Sequence, residues 1–491
     1  MEMRIQVGSG LPACRRASAR RAAPKRGGSP EGLTPPGLST VWMPCLLRLD
    51  FLMRQCFYRS LSVGDLRKSS CAPTVGYHEE MTSPLPPVAE TSAQSIMDLE
   101  RQHLLQNYAR YPLVVARGKG CYVYDLDGRR YLDFITGIGV NALGHAHPRI
   151  VKVIREQAAL LIHSSNLYYH PYQGPLAERL ARMSGLERAF FANTGTEAME
   201  GALKMVHSHG RAIHPEKYRI VSLENSFHGR TMGALSITGQ PKYRADFEPL
   251  LPGVTFVPIN DIAALEAAVG EHTAGIVLEM IQGEGGIYPL TPEYTAKARE
   301  LANRHHALLV ADETQCGVGR PGTYFAYQRS QPVILPDVMV FAKPVACGIP
   351  LGVIMANEKA AASIKPGMHG STFGGGALAC RVALEFLGIL DELLPSIQRV
   401  GGYFHVELNE LARKHSFVKE VRGFGLMLGM ELTIPGKQIV LDAIGAGLLM
   451  NCTHDTVLRF LPPYIATEKE VDQAVKILGK LLAKVGTGQT P

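Results

Sequence analysis

Beyond residue 150, helical segments alternate with short apolar runs, and that alternation constrains the fold more than any other feature of the chain. The runs cover residues 188–192, 219–223, 255–258, 275–280, 307–312 and 338–342. Strands buried on both faces read as near-continuous apolar runs, and the intervening helices supply the crossovers that parallel pairing requires. The fold class is therefore α/β, with a large, mostly parallel sheet covered by helices on both faces. In such sheets ligands sit beyond the carboxyl ends of the strands, so the residues just after each run are where chemistry is expected.

The flanks read differently. Residues 96–110 carry a helical pattern, and residues 121–134 alternate on either side of Asp127-Gly128, the signature of a hairpin. After residue 393 the order becomes helix, two strands around Gly423, helix, strand and final helix, a smaller α+β domain. The expected organisation is an extension over 1–80, an N-terminal helix and hairpin belonging to the small domain over 81–150, a large domain over 151–392 and the small domain over 393–491.

A chain of 491 residues with 46% hydrophobic content can bury more than one core. Twelve basic and six acidic residues precede residue 81, so nearly all of the net charge of +7 belongs to that stretch. A nucleic-acid-binding face needs its basic residues on the folded part, so no nucleic-acid partner is expected. Residues 1–80 lack a sustained apolar period and read as disordered. Prolines at 12, 24, 30, 35 and 36 break the amphipathic helix a transit peptide needs, which favours an incidental extension with Met81 or Met97 as the functional start. The apolar stretch 41–53 is interrupted by Pro44, Arg48 and Asp50, so no membrane span is expected. Nine cysteines show neither Cys-x-x-Cys nor metal-type spacing, which suits a reduced, cytoplasmic setting without a metal.

Five strand ends carry unusual residues. Asn193-Thr-Gly195-Thr196-Glu-Ala runs a strand into a helix, where free amides and the helix dipole suit a phosphate; an ordinary capped turn reads the same way. Ser226-Phe227-His-Gly-Arg230-Thr offers a ring for stacking and a planar fork for a carboxylate, against the alternative of a core Phe and a surface Arg. In Gln282-Gly-Glu284-Gly-Gly, glycines bring backbone close to a site into which Glu284 presents a carboxylate. Asp312 ends an apolar run and is costly to bury without a cationic partner, for which a pyridinium nitrogen serves; a buried cap or metal ligand is the competing reading, though no His or Cys cluster supports a metal. Lys343 ends the last run, in a low-dielectric loop that lowers an amine pKa and frees it for Schiff-base formation.

Taken with Asp312-Glu-Thr-Gln315-Cys-Gly-Val-Gly-Arg, Ala342-Lys-Pro and Gly370-Ser-Thr372-Phe-Gly-Gly, these motifs resemble, in order and spacing, the class III (ornithine-type) aminotransferases of pyridoxal-phosphate fold type I. The resemblance runs from about residue 97 to the end. Within the class it looks closest to the bacterial acetylornithine aminotransferases, through Gly137-Ile-Gly-Val-Asn-Ala-Leu-Gly-His and Asn451-Cys-Thr-His-Asp-Thr-Val-Leu-Arg-Phe. It implies a seven-stranded-type sheet and pyridoxal 5'-phosphate as cofactor. It further implies that Lys343 binds the cofactor and shuttles a proton, that Asp312 pairs with the pyridine nitrogen and that Gln315 binds the ring hydroxyl. Phe227 would stack on the ring, Gly195 and Thr196 would hold the phosphate, and Thr372 would reach the phosphate across a homodimer interface, giving a shared active site. Arg459 would bind the α-carboxylate, with Glu284 pairing to it in some states, and Arg230 would bind the distal carboxylate. Met199, Gly201, Gly376-Ala377 and the Pro344-Val-Ala-Cys run depart from the usual pattern and bear on substrate preference.

The implied reaction moves the terminal amino group of N-acetylornithine to 2-oxoglutarate in arginine biosynthesis. Succinyl-diaminopimelate, ornithine and 4-aminobutyrate are related donors. A glutamate-1-semialdehyde-type aminomutase and a non-catalytic cofactor-binding homologue are the alternatives. The first would turn over without 2-oxoglutarate, and the intact Lys343, Asp312 and Arg459 argue against the second.

Overall fold

The computed structural model describes residues 92–486, so the expectations for residues 1–80, and Met81 as a start, lie outside the described residues. Seven strands form the large sheet: β1 (Arg188–Ala192), β2 (Arg219–Leu223), β3 (Val254–Val257), β4 (Thr273–Glu279), β5 (Leu308–Asp312), β6 (Val338–Phe341) and β7 (Gly352–Ala356). Their spatial order is β1-β7-β6-β5-β4-β2-β3. β7 runs antiparallel to both its neighbours, and every other pairing is parallel.

The seventh strand is one that the apolar runs did not single out. Residues 342–351, which link it to β6, hold only a short 3-10 turn (Lys343–Ala346). That is too little for the helix of a parallel crossover, and an antiparallel return needs none.

Strands β4 to β7 are buried along their whole lengths, as their unbroken apolar character requires. On one face, Ala198, Met199, Ala202 and Val206 of α1 (Gly195–Ile213) pack on Val277, Val310, Val340 and Ile354. On the other, Tyr294, Ala298 and Leu301 of the helix Pro292–Arg304 pack on Ile276, Leu278 and Leu309. Gly201 is a consequence of the first contact, since a Cβ there would lie 2.4 Å from Ile354 Cδ1.

α2 (Ala377–Ala412) carries the chain from the large sheet to the smaller domain in 36 residues, through Pro395. Residue 393 therefore falls inside a helix. The smaller domain holds β8 (Val418–Phe424), β9 (Met427–Leu432), β10 (Asn451–Thr453) and β11 (Val457–Phe460) in the antiparallel order β8-β9-β11-β10. The turn of its first hairpin lies at Gly425 rather than Gly423. α3 (Glu468–Gly486) packs on α2.

The N-terminal helix spans Ala93–His103, shorter than its pattern suggests, and buries no residue. With Leu104, Leu105 and Tyr108 exposed, nothing holds further turns in place. The hairpin of Tyr122–Asp125 and Arg130–Asp133 turns through Asp127-Gly128, and Leu448–Leu449 pairs in parallel with its second strand. Among the described residues no helix is long and apolar enough to cross a membrane.

Candidate active site

The ends of β1, β2, β4, β5 and β6 converge on a cavity of about 270 Å³ lined by Gly195, Thr196, Phe227, Arg230, Asp312, Gln315 and Lys343, together with His228, Glu279 and Thr314. At the β1 end, Thr194 caps α1: its hydroxyl accepts the Glu197 amide at 3.2 Å while the Glu197 carboxylate accepts the Thr194 amide at 3.1 Å. The reciprocal cap leaves the Gly195 and Thr196 amides donating to no described residue, at the positive end of a 19-residue helix. A Cβ on Gly195 would sit 2.6 Å from the Thr314 side chain, so glycine lets the first turn of α1 lie close against the segment that follows β5.

At the far side Arg459 on β11 is fully buried. Its Nη1 donates to Glu284 at 2.6 Å and to Gln315 at 2.9 Å, and its Nε donates to Asn451, its register partner on β10, at 3.0 Å. Nη2 is buried without a partner. A buried guanidinium donor without a protein partner is costly, and it matches one oxygen of a carboxylate. Burial alone would raise the Glu284 carboxyl; the charge and hydrogen bond of Arg459 outweigh it and hold the group below its usual range. Arg230 is exposed, stacked over Tyr243 at 3.8 Å, and has no acidic partner among the described residues. Thr372 is exposed and lies outside the cavity lining.

Lys343 is half-buried and donates no hydrogen bond to a described residue. Burial lowers its amine below the usual lysine value, against the opposing pull of Glu284 and Asp312. Such an amine is a nucleophile nearer neutral pH than a surface lysine.

His228, Glu279 and Asn451 carried no role in the sequence reading. His228, with its side chain fully buried, donates from Nδ1 to Asp312 Oδ2 at 2.7 Å; Asp312 Oδ1 accepts the Thr314 amide at 2.9 Å. Asp312 is thus oriented on both oxygens. Glu279 ends β4 as Asp312 ends β5, so the argument from a buried strand-terminal acid could have found it. Asn451 could not have been found that way, because its tie to Arg459 depends on strand register.

Glu313 turns away from the cavity, accepting the Ala326 and Tyr327 amides at 2.9 Å each. Burial pushes its carboxyl up to about 7. Between pH 4.5 and 7 the folded chain then holds a proton that the unfolded chain has released, so this group's contribution to stability falls as pH rises through that window, by about 3 kcal/mol in all. Glu313→Gln should remove that fall. Between pH 5 and 8 the urea midpoint of the variant is expected to decline less than that of wild type, and equal declines would refute the assignment.

The cavity fits pyridoxal phosphate on its own residues: paired free amides for the phosphate, an oriented buried carboxylate for the ring nitrogen, and an accessible amine of lowered basicity. When bound, that group supplies an electron sink for the pair released at the substrate carbon. Elsewhere among the described residues His214, Glu216 and His272 gather potential metal-ligand atoms within 4.8 Å. They lie at the opposite end of the strands, where α1 ends and β4 begins, and His214 Nδ1 already accepts the Glu216 amide at 3.2 Å.

The fold and this site define a pyridoxal-phosphate-dependent transaminase, and comparison with known proteins agrees. Residues 105–482 match the family described as aminotransferase class-III. Acetylornithine aminotransferase of Aquifex aeolicus is 45% identical over 381 residues, covering 77% of this chain and 100% of the relative. N-acetylornithine aminotransferase from Stenotrophomonas maltophilia K279a superposes with a TM-score of 0.69 at 33% identity, over 80% of this chain and 100% of that one. Ornithine aminotransferase from Toxoplasma gondii, in a structure with partial occupancy of the cofactor at its active site, superposes with a TM-score of 0.78 at 32% identity, over 81% of this chain and 96% of that one. The chain belongs to the class III aminotransferase family.

Proposed function

We propose that this chain is a cytoplasmic, homodimeric aminotransferase that moves the terminal amino group of N-acetylornithine to 2-oxoglutarate, in arginine biosynthesis. The carrying observation is the asymmetry of the two arginines: Arg459 is held by Glu284 at 2.6 Å, whereas Arg230 has no acidic partner among the described residues. With the α-carboxylate reader closed, a terminal amine with no carboxylate beside it can approach Lys343, and Arg230 takes the carboxylate at the far end. A 2-oxo diacid inverts the demand, since its α-carboxylate needs Arg459, Glu284 must release it, and Arg230 takes the other end. The acetylornithine aminotransferase names of the relatives place the donor within the ω-amino class. Succinyl-diaminopimelate and ornithine fit the same logic.

In this reading Lys343 holds the cofactor and carries the proton at Nζ, Asp312 pairs with the ring nitrogen, and Gln315 binds the ring hydroxyl. Phe227 covers the ring, and the Gly195 and Thr196 amides hold the phosphate. Thr372 completes the phosphate site of a second copy. Its exposure beside Phe373, with Leu167, Tyr168 and Tyr169 also exposed, supports the dimer, because exposed apolar clusters of this kind mark interfaces.

The test is the visible spectrum of the cofactor-loaded protein. N-acetylornithine should bleach the band and 2-oxoglutarate should restore it. A band unmoved by N-acetylornithine would remove this donor, and turnover of a donor without 2-oxoglutarate would favour the aminomutase.

A further inference from the structure

Glu279 sits between the two arms of the site. Its strand, β4, lies between β5 and β2, and the register sets Glu279 directly beside Asp312. The carboxylate is buried and uses both oxygens: Oε2 accepts the Phe227 amide at 2.8 Å, and Oε1 accepts the Gly283 amide at 3.0 Å. Phe227 opens the loop that bears Arg230 three residues later, and Gly283 immediately precedes Glu284. One side chain therefore ties the backbone of the arm that reads the distal carboxylate to the arm that gates the α-carboxylate reader.

We propose that Glu279 is a positioning residue whose paired bonds to the Phe227 and Gly283 amides fix the separation of the Arg230 and Glu284 arms, and so select the length of 2-oxo diacid the cavity accepts. The proposal rests on the roles given above to Arg230, Glu284 and Arg459. A carboxylate suits the task because it accepts on both oxygens, whereas an amide side chain offers one acceptor and turns a donor toward the second N–H. The groups facing it are charged or titratable: Asp312 on β5, His228 beyond β2 and Lys343 beyond β6. Burial, then the Asp312 charge, pushes the Glu279 carboxyl up to about 7 against His228 and the two amides. The staple is therefore at full strength above neutrality, where both oxygens are free to accept, and weakens as pH falls.

The experiment compares wild type with Glu279→Gln and Glu279→Ala, using oxaloacetate, 2-oxoglutarate and 2-oxoadipate as acceptors, with amide hydrogen exchange of the cofactor-free proteins in parallel. In Glu279→Gln, KM for 2-oxoglutarate should rise about tenfold, the worth of one net hydrogen bond. Turnover at saturation should fall by a smaller factor than KM rises, and the preference for five carbons over four or six should narrow. Exchange should quicken in peptides covering residues 226–231 and 281–286, more so in Glu279→Ala. A merely structural residue would change stability and leave the length preference untouched. An unaltered preference, or unaltered exchange in both variants, overturns the proposal. Failure of wild type to use any 2-oxo diacid would instead overturn the functional reading, and the exchange result would then decide whether Glu279 holds the two arms together.

Discussion

Lys343→Ala is expected to lower single-turnover amino transfer by about 10⁴-fold, the upper range for a positioned acid–base group, and to abolish the visible band of the lysine-bound cofactor. Both losses follow from one placement. Lys343 lies one residue beyond the end of β6, donates no hydrogen bond to a described residue, and has its ammonium form disfavoured by burial. A group whose charged form the fold disfavours destabilises the protein at neutral pH, and that cost disappears as pH rises toward the ordinary lysine value. The cofactor-free variant should therefore be no less stable than wild type at pH 7 in thermal unfolding. That separates loss of chemistry from loss of fold. A small primary amine added to the variant should restore part of the rate. Turnover within tenfold of wild type, with the band retained, would move the nucleophile elsewhere.

The features legible from sequence were those whose physical cause is local. β4, β5 and β6 were readable because strands buried on both faces must be apolar throughout, and Lys343 stood out because it ends such a run. β7 escaped because five apolar residues after Gly348-Ile-Pro fix neither period nor direction, and its antiparallel course is set by the short link from β6. The N-terminal helix was read too long because its apolar residues found no core. Roles that depend on partners far along the chain were out of reach of local reading: His228 meets Asp312 across 84 positions, and Arg459 meets Glu284 across 175. The joint order of several motifs carried the second of these. It gave no role to His228 or Glu279, whose work is on other side chains and on backbone. Thr372 was readable only by resemblance, since its proposed target belongs to another copy.

Asp312→Asn should lower the rate of amino transfer by about 10²–10⁴-fold, corresponding to the roughly 3–5 kcal/mol lost when one partner of a buried ionic contact is removed. The substitution is nearly isosteric. The side-chain oxygen that remains can still accept the Thr314 amide, while the new amide group faces His228 Nδ1 and forces that ring to present a lone pair instead of a proton. Packing survives, and the charge that keeps a ring nitrogen protonated does not. The change also removes one of the influences raising Glu279, so Glu279 should ionise below its present value of about 7. The discriminating measurement is reconstitution with an N-methylated pyridoxal phosphate, whose ring carries a permanent positive charge. If Asp312 serves to hold that charge, the analogue should narrow the gap between variant and wild type by at least tenfold. An undiminished gap would mean that Asp312 acts through His228 alone, by orienting the loop that bears Phe227 and Arg230.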